Sequence, residues 1–129
     1  MKKVIENVDF YLSLAHLFYA IASVDNRIES QEKKRINDLI ETHWEIEIDG
    51  IDGKSILYST LKKLFKGKMK SEEAYMVFSD FFDKNRESFS EELKKLILNN
   101  TTKIALSVSE INKSESILIS RLYFLMKDK

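Results

Sequence analysis

The sequence predicts an all-α fold, namely a single-domain bundle of about six helices that spans residues 1–129. Two observations predict this fold. The chain contains no proline and only three glycines, so few positions interrupt a helix. Long segments also repeat their apolar residues at the spacing of an amphipathic helix, and serine or asparagine precedes several of them. A chain of 129 residues can bury a hydrophobic core of its own, so we expect one domain.

Composition narrows the classes of function that the chain can have. It carries 21 basic and 21 acidic residues, and a net charge of zero argues against a nucleic-acid partner. Cysteine is absent, which excludes disulfides, thiolate metal sites and thiol catalysis. The apolar segment from Phe10 to Val24 is too short to span a bilayer. We therefore expect a cytoplasmic protein with no membrane span.

The first two helices are predicted to form a hairpin. Helix one should run from about Lys3 to Ser23, and its apolar residues cover most sides, so other helices should surround it. Ser30 is the expected cap of helix two, which should end near Thr42 to Trp44. Residues 44–53 alternate between apolar and acidic types, as extended chain does. No second strand is predicted, so we expect an extended connection with two Asp-Gly turns and no sheet.

The third and fourth helices follow this connection. Helix three should run from about Gly53 to Lys66, with Gly67 as its stop. Ser71 is the expected cap of helix four, because two glutamates follow it in the first turn. The side chains expected to face the core are Ile56, Leu57, Leu61, Leu64, Phe65, Tyr75, Phe78, Phe81 and Phe82.

The last two helices are predicted to form a second hairpin. Ser90 should cap helix five, whose apolar stripe continues to Val108. Asn112 and Glu115 form a predicted capping box that opens helix six. The side chains of helix six expected to face the core are Ile117 or Leu118, Leu122, Leu125 and Met126.

The two hairpins share a pattern at an offset of 83 residues, the difference between positions 21 and 104. This agreement predicts two pseudo-repeated helical hairpins. The alternative is that any two capped helical hairpins would give similar matches. The matching pairs are Ile21 and Ile104, Ala22 and Ala105, Ile28 and Ile111, Glu32 and Glu115, Ile36 and Ile119, and Leu39 and Leu122.

The turn between helices one and two carries the candidate site, which consists of Asp25, Glu29 and Glu32. Clustered carboxylates suit a hard divalent cation such as calcium, magnesium or manganese. The second hairpin has Val108 where the first has Asp25, so only the first is equipped with all three carboxylates. Two interpretations stay open. The carboxylates could cap backbone amides at the start of helix two, or they could hold a cation weakly.

The same turn resembles the TerB-like family, whose motif is an alanine-rich helix, Ala-Asp-Gly-x-Ile/Val, three residues and Glu. Asp25, Ile28 and Glu32 match this motif, while Val24 and Asn26 replace its usual alanine and glycine. The resemblance implies an all-α fold, a bacterial cytoplasmic setting and links to tellurite resistance and other stress responses. It also implies interaction with protein partners, metal binding by the acidic cluster and no enzymatic activity.

The leading expectation is therefore a non-enzymatic protein-interaction module. A divalent cation bound at the acidic turn is a second, separate part of this expectation. We predict no catalytic residue and no organic cofactor. One alternative is a metal-dependent hydrolase that combines this turn with a second acidic group. Another is a purely structural scaffold that dimerises through a helix face. The second acidic group comprises Glu45, Glu47, Asp49 and Asp52.

A basic run near the third helix is a further candidate. Its most direct interpretation is a solvated helix end, and the alternative is a docking patch for an anionic partner. The two histidines, His16 and His43, are expected to be buried or capping residues. The basic run consists of Lys62, Lys63, Lys66, Lys68 and Lys70.

Overall fold

The computed structural model describes residues 4–24, 30–44, 47–48, 50–106 and 113–127. Within these ranges the chain is an all-α, single-domain bundle, which confirms the predicted fold class. Short 3₁₀ helices at Val4–Glu6 and Arg86–Ser88 precede α1 and α5. The helices are α1 (Val8–Ser23), α2 (Ser30–His43), α3 (Gly53–Gly67), α4 (Ser71–Lys84), α5 (Glu91–Ala105) and α6 (Lys113–Met126).

Helix α1 is the centre of the bundle, as its apolar character predicts. Twelve of its 16 residues are buried, and it contacts each of the other five α-helices. The predicted start near Lys3 is wrong. Asn7 has an extended backbone, and its side-chain oxygen accepts a hydrogen bond from the Asp9 amide at 2.8 Å. The helix therefore begins after Asn7, which acts as its cap.

The connection between α2 and α3 is extended, as predicted, but its two arms pair with each other. Strands β1 (Glu47–Ile48) and β2 (Ile51–Asp52) form a short antiparallel ladder. Gly50, in the turn between them, has a φ of 79°, a conformation that glycine adopts without steric cost. The sequence interpretation missed this pairing, because each arm is only two residues long.

The helix starts confirm one predicted cap and correct another. Ser90 caps α5, since its hydroxyl accepts a hydrogen bond from the Leu93 amide at 3.1 Å. Ser71 does not cap α4. It is the first helical residue, and its hydroxyl donates instead to the Ala20 carbonyl of α1 at 2.9 Å. The predicted capping box at Asn112 lies outside the described residues.

The end of α3 differs in one detail from the prediction. The helix ends at Gly67, but the left-handed residue is Lys68, with a φ of 55° and a ψ of 46°. The Lys68 amide donates to the Leu64 carbonyl at 2.9 Å and closes the last turn. Helix α5 ends at Ala105, and Val108 lies outside the described residues.

The helix bounds follow the same offset as the sequence matches. Adding 83 to the bounds of α1 gives 91–106, and α5 occupies 91–105. Adding 83 to the bounds of α2 gives 113–126, which are the bounds of α6. Pseudo-symmetry of the two hairpins stays a prediction, because both connecting turns lie outside the described residues.

A buried polar contact joins α2 to α5. Trp44 directly follows α2 and is fully buried, and its indole Nε1 donates to Asn100 Oδ1 at 2.9 Å. The Asn100 amide nitrogen donates in turn to the Leu96 carbonyl at 2.9 Å. Both groups are therefore satisfied away from water, which fixes the position of α2 against α5.

Candidate functional site

The predicted cation site falls largely outside the described part of the chain. Asp25 and Glu29 lie outside it, and the side chain of Glu32 is not among those described, although its backbone belongs to α2. The site therefore stays a prediction. Among the side chains that the structure does describe, no group of three or more His, Asp or Glu residues is placed to hold a metal ion.

The second acidic group contributes one described side chain, that of Asp52. Its carboxylate accepts hydrogen bonds from the Ser55 hydroxyl at 2.8 Å and from the Ser55 amide at 3.2 Å. These two bonds lower the pKa of Asp52. Asp52 is thus the N-cap of α3, a role that the sequence interpretation did not assign to it.

His16 is a partly buried side chain rather than an accessible ligand. Its Nδ1 donates to the Leu12 carbonyl one turn earlier in α1, at 2.7 Å. His43 is also partly buried and lies in the last turn of α2. Both histidines were expected to be buried or capping, and both are only partly buried.

The described residues instead present an apolar surface on α4 and α6. Five of the seven exposed large apolar side chains in the described residues belong to these helices. Three of the five border a shallow, open depression of about 660 Å³ between the helices, which we name the α4–α6 groove. Its lining includes Tyr75, Met76, Ile117, Ser120, Arg121 and Phe124.

Two arginine side chains bridge α4 and its neighbours at opposite ends of that helix. The Arg121 guanidinium lies over the Tyr75 ring, 4.4 Å from its centroid, and donates to both Glu72 oxygens at 2.7 and 2.9 Å. These hydrogen bonds lower the pKa of Glu72. At the other end, Arg86 donates to the Leu125 carbonyl at 3.0 Å and to Asp83 at 2.7 Å.

Acidic residues lie beside the groove on the outer face of α4. Met76 shares its exposed helix face with Glu73 and Asp80, which lie three and four residues away. Lys84 is the only basic residue within α4, against four acidic ones. The α6 side contributes the hydroxyl groups of exposed serines. Arg121, the charged residue of the groove lining, is paired with Glu72, so the groove combines apolar and hydroxyl groups with an ion pair and lies beside Glu73 and Asp80.

The groove was not predicted, although α6 carried a signal for it. The prediction left Ile117 and Leu118 as alternatives for the core, and Leu118 is buried while Ile117 is 54% exposed. Tyr123 and Phe124 follow on the same helix. A helix with apolar residues on most sides is normally covered on most sides. The described helices cover one side of α6, so its remaining apolar surface faces outward.

No α-helix in the described ranges is both long enough and apolar enough to cross a membrane. Comparison of the chain with protein-family models, with curated proteins and with solved structures gave no match.

Proposed function

We propose that this chain is a non-enzymatic protein-interaction module whose α4–α6 groove binds a cationic amphipathic helix of another protein. One observation carries the proposal. Phe124 is 67% exposed, beside Ile117 at 54% and Met76 at 39%, around a concave surface. Apolar side chains grouped in this way favour burial by a partner, and large aromatic residues supply much of the binding energy in such contacts.

The shape and charge of the groove favour this occupant. Two helices form its walls, and a third helix can lie between them with apolar side chains at every third or fourth position. Met76 is flexible and polarisable, so it adapts to different apolar partners. Glu73 and Asp80 are exposed beside Met76 at the edge of the groove lining, and their charge favours lysine or arginine on the bound helix.

A pair of synthetic peptides tests the groove. The first is an amphipathic helix with leucine along one face and lysine beside it, and the second replaces each lysine with glutamate. We expect the lysine peptide to bind in fluorescence anisotropy titrations and the glutamate peptide to bind at least tenfold more weakly. Binding of neither peptide, or equal binding of both, would contradict the proposal.

Neighbouring residues of α4 supply a matched control. Met76 lines the groove and Val77 does not, yet their exposed fractions are 39% and 37%. We expect Met76→Ser and Phe124→Ser to weaken the lysine peptide about tenfold, equivalent to about 1.4 kcal/mol. Val77→Ser should change its Kd less than twofold. Equal effects of Met76→Ser and Val77→Ser would show that the peptide binds elsewhere.

Self-association is the competing use of the same surface. Light scattering over a range of protein concentrations measures it directly. We expect a monomer at micromolar concentration. If the protein is a dimer and Phe124→Ser dissociates it, the groove binds a second copy of the chain and not a helix of another protein. That result would support the homodimeric scaffold considered above.

The divalent cation at Asp25, Glu29 and Glu32 remains part of the proposal and rests on the sequence of the turn. A bound cation would fix the angle between α1 and α2. Calorimetric titration with calcium, magnesium and manganese tests it, with Asp25→Asn as the control. Absence of heat, together with an unchanged Tm in the presence of each metal, would overturn it. The cytoplasmic bacterial setting and the link to tellurite stress rest on the TerB-like motif at residues 24–32.

A further inference from the structure

The basic run identified in the sequence divides into two groups in the fold. Lys62, Lys63 and Lys66 are exposed along α3. Lys68 and Lys70 lie in the turn between α3 and α4 and line a cavity of about 640 Å³. We name it the lysine cavity. The side chains around it include Tyr19, Lys33, Phe65, Lys68, Met69 and Lys70.

Three elements bring the lysines of this cavity together. Lys33 comes from α2, and its ammonium lies 4.9 Å from the centroid of the Phe65 ring, so it is held against the apolar wall. Lys68 occupies the left-handed position that ends α3. Lys70 is the residue before α4. None of the three forms an ion pair with another described side chain.

The remaining walls are fixed by hydrogen bonds to α1. The Tyr19 hydroxyl donates to the Met69 carbonyl at 2.6 Å, and the Ser71 hydroxyl donates to the Ala20 carbonyl at 2.9 Å. The α3–α4 turn is thereby tied to the middle of the bundle. Because these hydroxyl hydrogens are already used, the lysine ammonium groups are the side-chain donors of the described lining that are left for a ligand.

The cavity also has an apolar portion. The rings of Tyr19 and Phe65 meet edge to face, with centroids 5.2 Å apart and planes at 70°. Met69 lies in the same lining. A ligand that fills the cavity would therefore meet positive charge at one part and aromatic or aliphatic surface at another.

We propose that the lysine cavity binds a small ligand that carries a phosphate group and an apolar or aromatic portion. Three ammonium groups match a multiply charged oxyanion, and lysine binds phosphate as a compact point charge. A volume of about 640 Å³ falls in the range of small-molecule sites. This site is separate from the α4–α6 groove, so either proposal can fail while the other stands.

Phenyl phosphate is a suitable probe, because it joins a dianionic head to one aromatic ring. Binding is followed by titration calorimetry and by backbone amide shifts in NMR spectra of ¹⁵N-labelled protein. We expect saturable shifts centred on Lys68, Lys70 and Ser71. Inorganic phosphate should bind more weakly than phenyl phosphate, and benzyl alcohol, which has no charge, should bind least.

The same basic run supplies a control with equal charge. Lys68→Gln/Lys70→Gln and Lys62→Gln/Lys63→Gln remove the same number of positive charges, but only the first pair lines the cavity. We expect the first double variant to weaken phenyl phosphate at least tenfold and the second to weaken it less than twofold. Thermal melts of both variants confirm that they remain folded.

Three results would overturn the proposal. The first is the absence of saturable shifts with phenyl phosphate. The second is equal weakening by the two double variants, which would indicate attraction to overall charge rather than to the cavity. The third is binding of benzyl alcohol as tight as that of phenyl phosphate, which would leave an apolar pocket without anion recognition.

Discussion

The two glycines at the ends of α3 differ in how much space surrounds their Cα atoms. A Cβ atom added to Gly53 would lie 2.5 Å from Cε1 and 2.9 Å from Cζ of the Tyr11 ring. Tyr11 is fully buried, so its ring has little room to move. A Cβ atom added to Gly67 would meet no atom within 4 Å. The same residue type is therefore required at one end of the helix and replaceable at the other.

Alanine substitutions at these glycines should have effects of opposite sign. We expect Gly53→Ala to lower the free energy of unfolding by about 1–3 kcal/mol, because the methyl group overpacks the Tyr11 ring. Gly67→Ala should raise it by about 0.5–1 kcal/mol through helix propensity. Urea unfolding measures both. A loss of stability in both variants would contradict the open surroundings of Gly67.

Tyr11 also gives the stability of the protein a dependence on alkaline pH. Its hydroxyl donates to the Ile5 carbonyl at 2.6 Å, and burial raises the pKa of Tyr11 to about 12 from 10.0. The folded state thus keeps a proton that the unfolded state loses near pH 10. The bound proton of Tyr11 therefore contributes its full stabilisation of the folded state below pH 10, and this contribution is lost as the pH rises towards 12.

The variant Tyr11→Phe isolates this contribution. Wild type and variant share every other titrating group. One of these groups is Tyr58, and its burial also raises its pKa to about 12. We expect the free energy of unfolding to fall more steeply with pH in the wild type than in the variant above pH 10. Unfolding curves at stepwise increasing alkaline pH measure the difference. Parallel pH profiles for the two proteins would refute it.

At the scale of elements, the contact between Trp44 and Asn100 decides how α2 meets α5. The neighbouring Asn99 is exposed, which makes it a control of the same residue type. We expect Asn100→Ala to lower the free energy of unfolding by about 2–3 kcal/mol, because it leaves the buried Trp44 Nε1 without an acceptor. Asn99→Ala should change it by about 0.5 kcal/mol or less. Thermal and urea unfolding distinguish the two, and equal effects would exclude the role assigned to Asn100.

The elements themselves were largely predictable from helical periodicity. The bounds of α3 agree with the prediction to one residue, and α2 begins at Ser30, one residue before the start implied by Ser30 as its cap. The errors at the helix starts concern which residue caps the helix. Ser71 is the first residue of α4 and not its cap, and its hydroxyl donates to the Ala20 carbonyl of a helix distant in sequence. Such a hydrogen bond depends on tertiary neighbours and leaves no local pattern.

At the scale of the whole molecule, the groove and the lysine cavity are properties of helix arrangement. Met76 and Ile117 are 41 positions apart, the difference between 117 and 76, and neither is distinctive within its own helix. Although the net charge is zero, positive and negative side chains lie in different places. Helix α4 carries acidic residues beside the groove, and three lysines line the cavity. The acidic turn was conspicuous in the sequence because Asp25, Glu29 and Glu32 lie within eight positions, whereas residues that are close in space need not be close in sequence.

The central position of α1 has a consequence for how the chain is made. Its main packing partners are α3 and α4, and the second of these ends at Lys84. During synthesis α1 therefore leaves the ribosome well before the helices that will cover it. Through that interval a helix with apolar residues on most sides meets water, and chaperones recognise such exposed surface. We expect nascent chains in which α4 has not yet left the ribosome to remain aggregation-prone, with protection arising once α4 has emerged.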